Sequence, residues 1–315
     1  MVEPIKIRRE RFELSKQVYR SEVLKFDGVN GRDVYNCSVP FDFEGKRYIF
    51  GRVEKREEWA NSVTLLFCRD EKSGVWKKVD AFDALPLEDP FVSVIRGEYI
   101  VGGTHVIYEA GRLADYSTYF YKGKSPFSLR LFSVGPSNMK DIRLFEIPDG
   151  RVGVFSRPRG EHVREQFGSE SIVGFTVLDS LEQLTPERIE NARYIHGMFG
   201  KDEWGGVNQA FYLKDNLVGA IGHQCYSDPR DGVDYQVYVN MAYVIDMSTF
   251  EVVHKEVIGT SNCYPDTPAK LKALADCAFT SGIELSEDGK ARLYSGLRDC
   301  CEGMTVINDP FRAIV

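Results

Sequence analysis

The sequence predicts an all-β protein built as a five-bladed β-propeller. Three observations carry this. Short β-branched and aromatic runs separated by turn residues recur along the 315 residues, helical periodicity is scarce, and one strand–turn–strand pattern returns five times. A single propeller domain spanning residues 1–315 is expected.

The five hairpins cover residues 41–52, 91–105, 144–157, 211–223 and 282–296, with turns E-G-K, R-G-E, D-G-R, K-D-N-L and D-G-K. Each turn offers Gly or Asn where a tight hairpin needs positive φ. Taking Gly45, Gly97, Gly150, Asn216 and Gly289 as references, the separations are 52, 53, 66 and 73 residues, about one four-stranded blade each. A two-sheet sandwich also uses hairpins, but it has no reason to repeat one at roughly even intervals along the whole chain. The best helical stretches are residues 186–193 and 268–277.

Composition narrows the function classes. Hydrophobic residues make up 43% of the chain, enough for a folded core, and the net charge of −7 gives no general attraction for a nucleic-acid backbone. The first residues hold no apolar stretch of signal-peptide length, and nowhere do about 18 apolar residues run together, so no membrane partner is expected. The seven Cys (37, 68, 225, 263, 277, 300 and 301) form neither a disulfide framework nor a metal-binding pattern. Reduced thiols in a cytoplasmic protein, with no metal and no cofactor, are the expectation.

Strands of about seven residues on either side of each turn bring residues near −8 and +7 to the same end of a hairpin. Seven after the references stand Arg52, Thr104 followed by His105, Arg157, His223 and Gly296, with Asp299 three further on. Eight to ten before them stand Asn36, Asp89, Lys140 with Asp141, Asn208, and Thr280 with Ser281. In a propeller these ends converge on one face around the axis. They would form a polar pocket of carboxylates, guanidinium groups and imidazole. Solvated hairpin ends are also polar, and Arg52 and Arg157 would equally suit ion pairs that close the blades.

Three segments carry the chemistry. In Glu88-Asp89-Pro90 the proline biases Asp89 to an extended start of a strand, aimed into the pocket, unless Asp89 only caps a turn. Burial or a neighbour such as Asp141 would raise its proton affinity, as a general acid requires. Lys140 and Arg157, with Arg159, gather cations suited to phosphate or to surface ion pairing. Asp299, in a small-residue loop, suits hydrogen bonds from sugar hydroxyls, or an ordinary turn.

Glu88-Asp89-Pro90, Lys140-Asp141, Ser156-Arg157-Pro158, Phe279-Thr280-Ser281-Gly282 and the segment 294–303 resemble, in order, motifs of the β-mannoside phosphorylases of glycoside hydrolase family 130, which are five-bladed propellers. The chain more closely resembles the divergent β-1,2-mannosyltransferase/phosphorylase branch, which makes and degrades mannogen. Phe91 where the phosphorylases usually have Arg, and Ser156 where they often have His, fit that branch. The resemblance implies an inverting glycosyltransferase/phosphorylase acting on β-1,2-linked mannose oligosaccharides, with mannose 1-phosphate or GDP-mannose as donor and inorganic phosphate as partner. It implies Asp89 as the catalytic acid, basic residues at Lys140 and Arg157 as phosphate or donor ligands, and Asp299 as a sugar ligand. The pocket positions add Arg52 and His223 on the phosphate side, and Asn36, His105, Asp141 and Asn208 on the sugar side. A glycoside hydrolase using two carboxylates, with Asp141 or Asp299 as the second, and a non-catalytic propeller that binds carbohydrate or protein are the competing readings.

Overall fold

The computed structural model describes residues 2–58 and 61–314. It contains five separate sheets arranged as the blades of a propeller, not two stacked layers, antiparallel but for Phe26–Asp27, which pairs in parallel with Trp76–Lys78 in the first blade. The second blade comprises Glu88–Ile95, Glu98–Glu109, Arg112–Gly123 and Arg130–Val134. The third comprises Arg143–Glu146, Val152–Ser156, Gly174–Leu178 and Arg193–Tyr194, and the fourth Glu203–Lys214, Leu217–Arg230, Val233–Asp246 and Glu251–Gly259. The first blade is more broken, its longest strands being Lys46–Glu54 and Val63–Arg69.

The fifth blade closes the ring. Ala278–Leu285, Lys290–Leu297 and Cys301–Asn308 receive their outer strand from Arg20–Val23, in the register Arg20↔Val306 to Val23↔Gly303. Strand pairing thereby joins the two ends of the chain.

Each expected hairpin is the inner pair of strands of a blade, and the first strand of each pair lies beside the axis. Ser93 Oγ donates to the Leu144 carbonyl at 2.7 Å, and the Ile283 amide donates to Gln209 Oε1 at 2.7 Å, linking inner strands of neighbouring blades. Aromatic and branched residues of successive blades share apolar clusters. Phe91, Phe120, Ile142 and Val154 join blades two and three, and Phe145, Phe155, Val207 and Val239 join three and four. Each large side chain buried in this way contributes roughly 1.5–3 kcal/mol.

The turns share the face away from the pocket. Tyr99 Oη donates to the Asp42 carbonyl, and Arg96 Nε to the Gly150 carbonyl, tying adjacent hairpin tips together. Glu44-Gly45 and Arg96-Gly97 each carry two consecutive positive φ values, the pairing that matches the strand twist of a two-residue hairpin. In the fourth hairpin the positive φ falls on Asp215, one residue before Asn216. Aspartate tolerates that conformation almost as well as asparagine, so the residue type alone did not locate it.

The helical expectations fare unevenly. Pro186–Glu190 is helical, capped by Thr185, but within residues 268–277 only Lys272–Leu274 makes a single 3₁₀ turn. That segment crosses instead toward the first blade, where Lys270 reaches Glu54. The helix Ile5–Ser15 has no clear apolar periodicity and is held by docking. The Ile5 amide donates to Glu203 Oε1 at 2.6 Å, and Arg9 pairs with Asp276 at 3.3 Å. Among the described residues no helix is long and apolar enough to cross a membrane.

Candidate active site

Around the axis, one polar residue of each blade leaves the regular ladder. The register shifts between Glu88 and Phe91, between Val207 and Gln209, and between Thr280 and Gly282, and these bulges free Asp89, Asn208 and Ser281. Asn36 and Asp141 occupy the corresponding places in blades one and three. All five are buried. Asn36, Asp89 and Asp141 have φ of 46°, 50° and 60°. Pro90 therefore does not hold Asp89 extended. A left-handed residue before proline is costly, of order 1–3 kcal/mol, and is retained because the surroundings over-determine it.

Those surroundings are two donors on one oxygen. Asn36 Nδ2 donates to Asp89 Oδ1 at 2.8 Å and Arg52 Nη1 to the same atom at 3.0 Å. The rest of Arg52 is equally engaged. Nε donates to Ser62 Oγ at 3.3 Å, while Nη2 pairs with Glu54 at 3.1 Å and Glu88 at 3.2 Å. Lys270 pairs with Glu54 from the far side. Arg52 is thus spent on carboxylates and oriented toward Asp89, away from the phosphate role expected of it.

Asp299, at φ 54°, completes this acidic side. Burial, with Asp89 adding to it, raises its carboxyl above the usual range against the pull of Arg52. Burial likewise raises Glu88, with Arg52 opposing and Asp89 reinforcing. In the cleft, the field of Asp89 thus acts on Glu88 and Asp299, whereas Asp141 belongs to the opposite wall.

On that wall Arg157 Nη1 donates to Asp141 Oδ2 at 2.5 Å, with Arg143 at 3.9 Å and His223 Nε2 at 3.8 Å. Burial works against ionisation of Asp141, but Arg157, His223, Lys140 and Arg143 together hold it well below the usual carboxylate range. His223 Nδ1 lies 2.7 Å from Asn208 Oδ1, and with that oxygen accepting, Nδ1 carries the proton and Nε2 is the acceptor. Burial lowers the imidazole to about 3, so the ring is neutral near neutral pH. Lys140 and Arg159 carry no ion pair among the described residues and line the same cleft as Arg157.

The cleft has a volume of about 300 Å³. Asp89, Asp299, Arg52 and Asn36 form one side, Lys140, Arg157, Arg159 and His223 the other, and Trp204, Tyr238 and Phe279 supply aromatic surface. It is a dipolar slot, acidic on blades one, two and five and predominantly basic on blade three, where the one lining carboxylate, Glu170, is paired with Arg164. Such a slot orients a neutral polyol that carries an anionic group at one end.

Most expected residues meet here. Asp141 and Asn208 lie behind the surface, bonded to Arg157 and His223, and act as supports where sugar contacts were expected. His105 does not line the cleft. Its Nδ1 meets the Pro86 carbonyl at 2.9 Å and its ring packs on Tyr119 at 4.3 Å. Thr104 is the inward residue there, and alternation sends the next side chain to the other face. Glu54, Lys270 and Trp204 were not singled out from sequence. Glu54 sits two residues beyond Arg52 on the same strand face, the one signal that could have found it.

Comparison with known proteins places these features. A family model described as a protein of unknown function, DUF1861, matches residues 10–313. No curated protein matches the chain. Among solved structures, MPT-4, a mannose phosphorylase from Leishmania mexicana in complex with phosphate ion, superposes with a TM-score of 0.91 at 43% identity, over 98% of this chain and 94% of that one. MPT-1, a GDP-Man-dependent mannosyltransferase from the same organism, gives 0.90 at 41% identity, over 99% and 97%. A β-1,2-mannobiose phosphorylase from Listeria innocua shares the fold, with a TM-score of 0.61 at 12% identity over 94% and 93%.

Proposed function

The chain belongs to the family of the Leishmania mannose phosphorylase MPT-4 and mannosyltransferase MPT-1, and from that premise we propose that it transfers mannose between β-1,2-linked mannose oligosaccharides and an anionic carrier. The carrier is inorganic phosphate, giving mannose 1-phosphate, or the diphosphate of GDP-mannose in the synthetic direction. The observation that carries this reading is the dipolar cleft, with Asp89 on one wall and, on the other, Arg157 beside Lys140 and Arg159, which have no ion pair among the described residues.

The mechanism needs one protein acid. In phosphorolysis a phosphate oxygen, held by Lys140, Arg157 and Arg159, attacks the anomeric carbon as the bond to the glycosidic oxygen breaks. Asp89 gives its proton to that departing oxygen, directly or through a sugar hydroxyl, and configuration inverts. Oδ1 is occupied by Asn36 and Arg52, which leaves Oδ2 to carry the proton. In synthesis the same oxygen takes the proton of the acceptor hydroxyl while phosphate or GDP leaves. Asp299 holds sugar hydroxyls, Asn36 steadies Asp89, and neutral His223 accepts a further hydrogen bond. A hydrolase would need a second free carboxylate; the ion pair with Arg157 removes Asp141 from that role and leaves Asp299 as the one such a reading would use.

Seven free thiols support a cytoplasmic place of action. The test is incubation of the purified protein with mannose 1-phosphate or GDP-mannose and a mannose acceptor, with products resolved by mass. Extension by mannose units, reversed by added phosphate, is expected; release of free mannose without phosphate consumption would favour hydrolysis.

A further inference from the structure

Glu302 lies on Cys301–Asn308, in the third strand of the closing blade, fully buried and outside the cleft. It forms no ion pair among the described residues. Its Oε2 accepts the Cys37 amide at 3.0 Å and its Oε1 the Ser281 hydroxyl at 2.7 Å. Taking a carboxyl out of water with no cation beside it is expensive, and burial lifts its proton affinity to a pKa of about 7. The ionisable groups that act on it most strongly, or on which it acts, include Cys37, Cys301, Tyr264 and Asp89. A side chain kept at such a cost, away from any ligand, needs a reason.

The reason lies one residue back from Cys37. Asn36 is left-handed at φ 46°, and its side chain donates to Asp89. Its Oδ1 is buried without a hydrogen-bond partner and faces Gly296, the strand partner of Glu302. A Cβ on Gly296 would stand 1.8 Å from that oxygen. The amide is therefore seated against Gly296 with one hydrogen bond, while the backbone just after it is pinned by Glu302.

We infer that Glu302 is a positioning residue for the proposed acid Asp89, acting through the Cys37 amide and the left-handed Asn36 to aim the carboxyl at the glycosidic oxygen. The inference rests on the reading of Asp89 given above. Because Ser281 sits on the inner strand of blade five and Cys37 in blade one, the same carboxyl ties the inner strands together where the ring closes. The reaction geometry thus depends on the closure of the propeller.

The test is a set of phosphorolysis kinetics on Glu302→Ala, Glu302→Gln, Asn36→Ala and the Asn36→Ala/Glu302→Ala double variant, with thermal unfolding as a control and Asp89→Asn alongside. Glu302→Ala should lower kcat at least about 10-fold with the phosphate KM within about twofold, because the cationic wall is untouched. Glu302→Gln should restore kcat to within about threefold, since its carbonyl still accepts from Cys37 and its amide donates to Ser281. The double variant should be no slower than Asn36→Ala alone, the signature of two residues on one path. If Glu302→Ala fails to fold, Glu302→Asp, which keeps the charge but retracts the oxygens, enters the same comparison. Unchanged kcat in the folded variants, or losses that multiply in the double variant, would overturn the positioning role while leaving Asp89 as the acid. Full turnover in Asp89→Asn would remove the acid assignment, and this inference with it.

Discussion

Arg157 Nη1 and Asp141 Oδ2 meet at 2.5 Å, both side chains nearly inaccessible to water, and the pair anchors Arg157 where it lines the cleft. The pair belongs to the basic wall on which the phosphate is proposed to sit. Asp141→Asn should therefore leave a buried guanidinium without its counter-charge, costing about 3–5 kcal/mol of stability. Chemical denaturation would measure this. The surviving folded enzyme should show a raised phosphate KM.

Lys140→Ala and Arg159→Ala each remove a cation that has no carboxylate partner among the described residues. Each should weaken phosphate or sugar-phosphate binding by about 1.5–3 kcal/mol, roughly 10- to 150-fold in affinity. Arg52→Lys should behave differently. A single ammonium cannot span Glu54, Glu88 and Asp89 as the guanidinium fork does, so kcat and stability should fall while the phosphate KM stays put. Calorimetric titration with phosphate, run beside steady-state kinetics, separates the two kinds of residue.

Gly296→Ala should damage turnover without touching the ligand. The added methyl would stand 1.8 Å from Asn36 Oδ1 and 2.8 Å from the Asn36 amide, forcing the donor away from Asp89. A loss of about 1–3 kcal/mol in stability is expected from overpacking of this kind, together with a fall in kcat that exceeds any change in KM. Thermal melts and kinetics on the same preparation would check both.

The carboxyl of Glu302 gives the stability a pH dependence of defined sign. Its folded pKa, about 7, lies above the unfolded value, so the folded state binds the extra proton. The favourable contribution is fully present below the unfolded pKa, near 4.3, and is lost as pH rises through about 7. Glu302→Gln cannot titrate. Its stability relative to the native protein should therefore improve by up to roughly 4 kcal/mol between pH 4 and pH 8, read from denaturation at both pH values. A difference that stays constant across that range would contradict the shifted carboxyl.

Much of the architecture was legible because the hairpin turns are written in local chemistry. Glu44-Gly45 and Arg96-Gly97 need positive φ, and the sequence supplies residues that allow it. Counting seven to nine residues from such turns reaches Asn36, Asp89, Arg157, Asn208 and His223, because strand rise is nearly constant. The same count overshot at His105, where a shift of one residue reverses the face. What stayed hidden depends on tertiary contact. The helix Ile5–Ser15 owes its place to Glu203 and Asp276, far along the chain. Lys270 is brought to Glu54 by a crossing segment that reads locally as helix. The engagement of Arg52 by three carboxylates arises only when the first and second blades meet, and the burial of Glu302 only when the first and last do.

The central claim is that Asp89 moves the proton, and Asp89→Asn tests it most directly. The amide keeps the shape and can still accept from Asn36 and Arg52, so the fold should hold and phosphate should still bind. Turnover should fall about 10²- to 10⁴-fold in both synthesis and phosphorolysis, the usual contribution of general acid–base catalysis. Near-native turnover in that variant, with Asp299→Asn or Asp141→Asn folded but inactive, would contradict the account and assign the chemistry to another carboxylate.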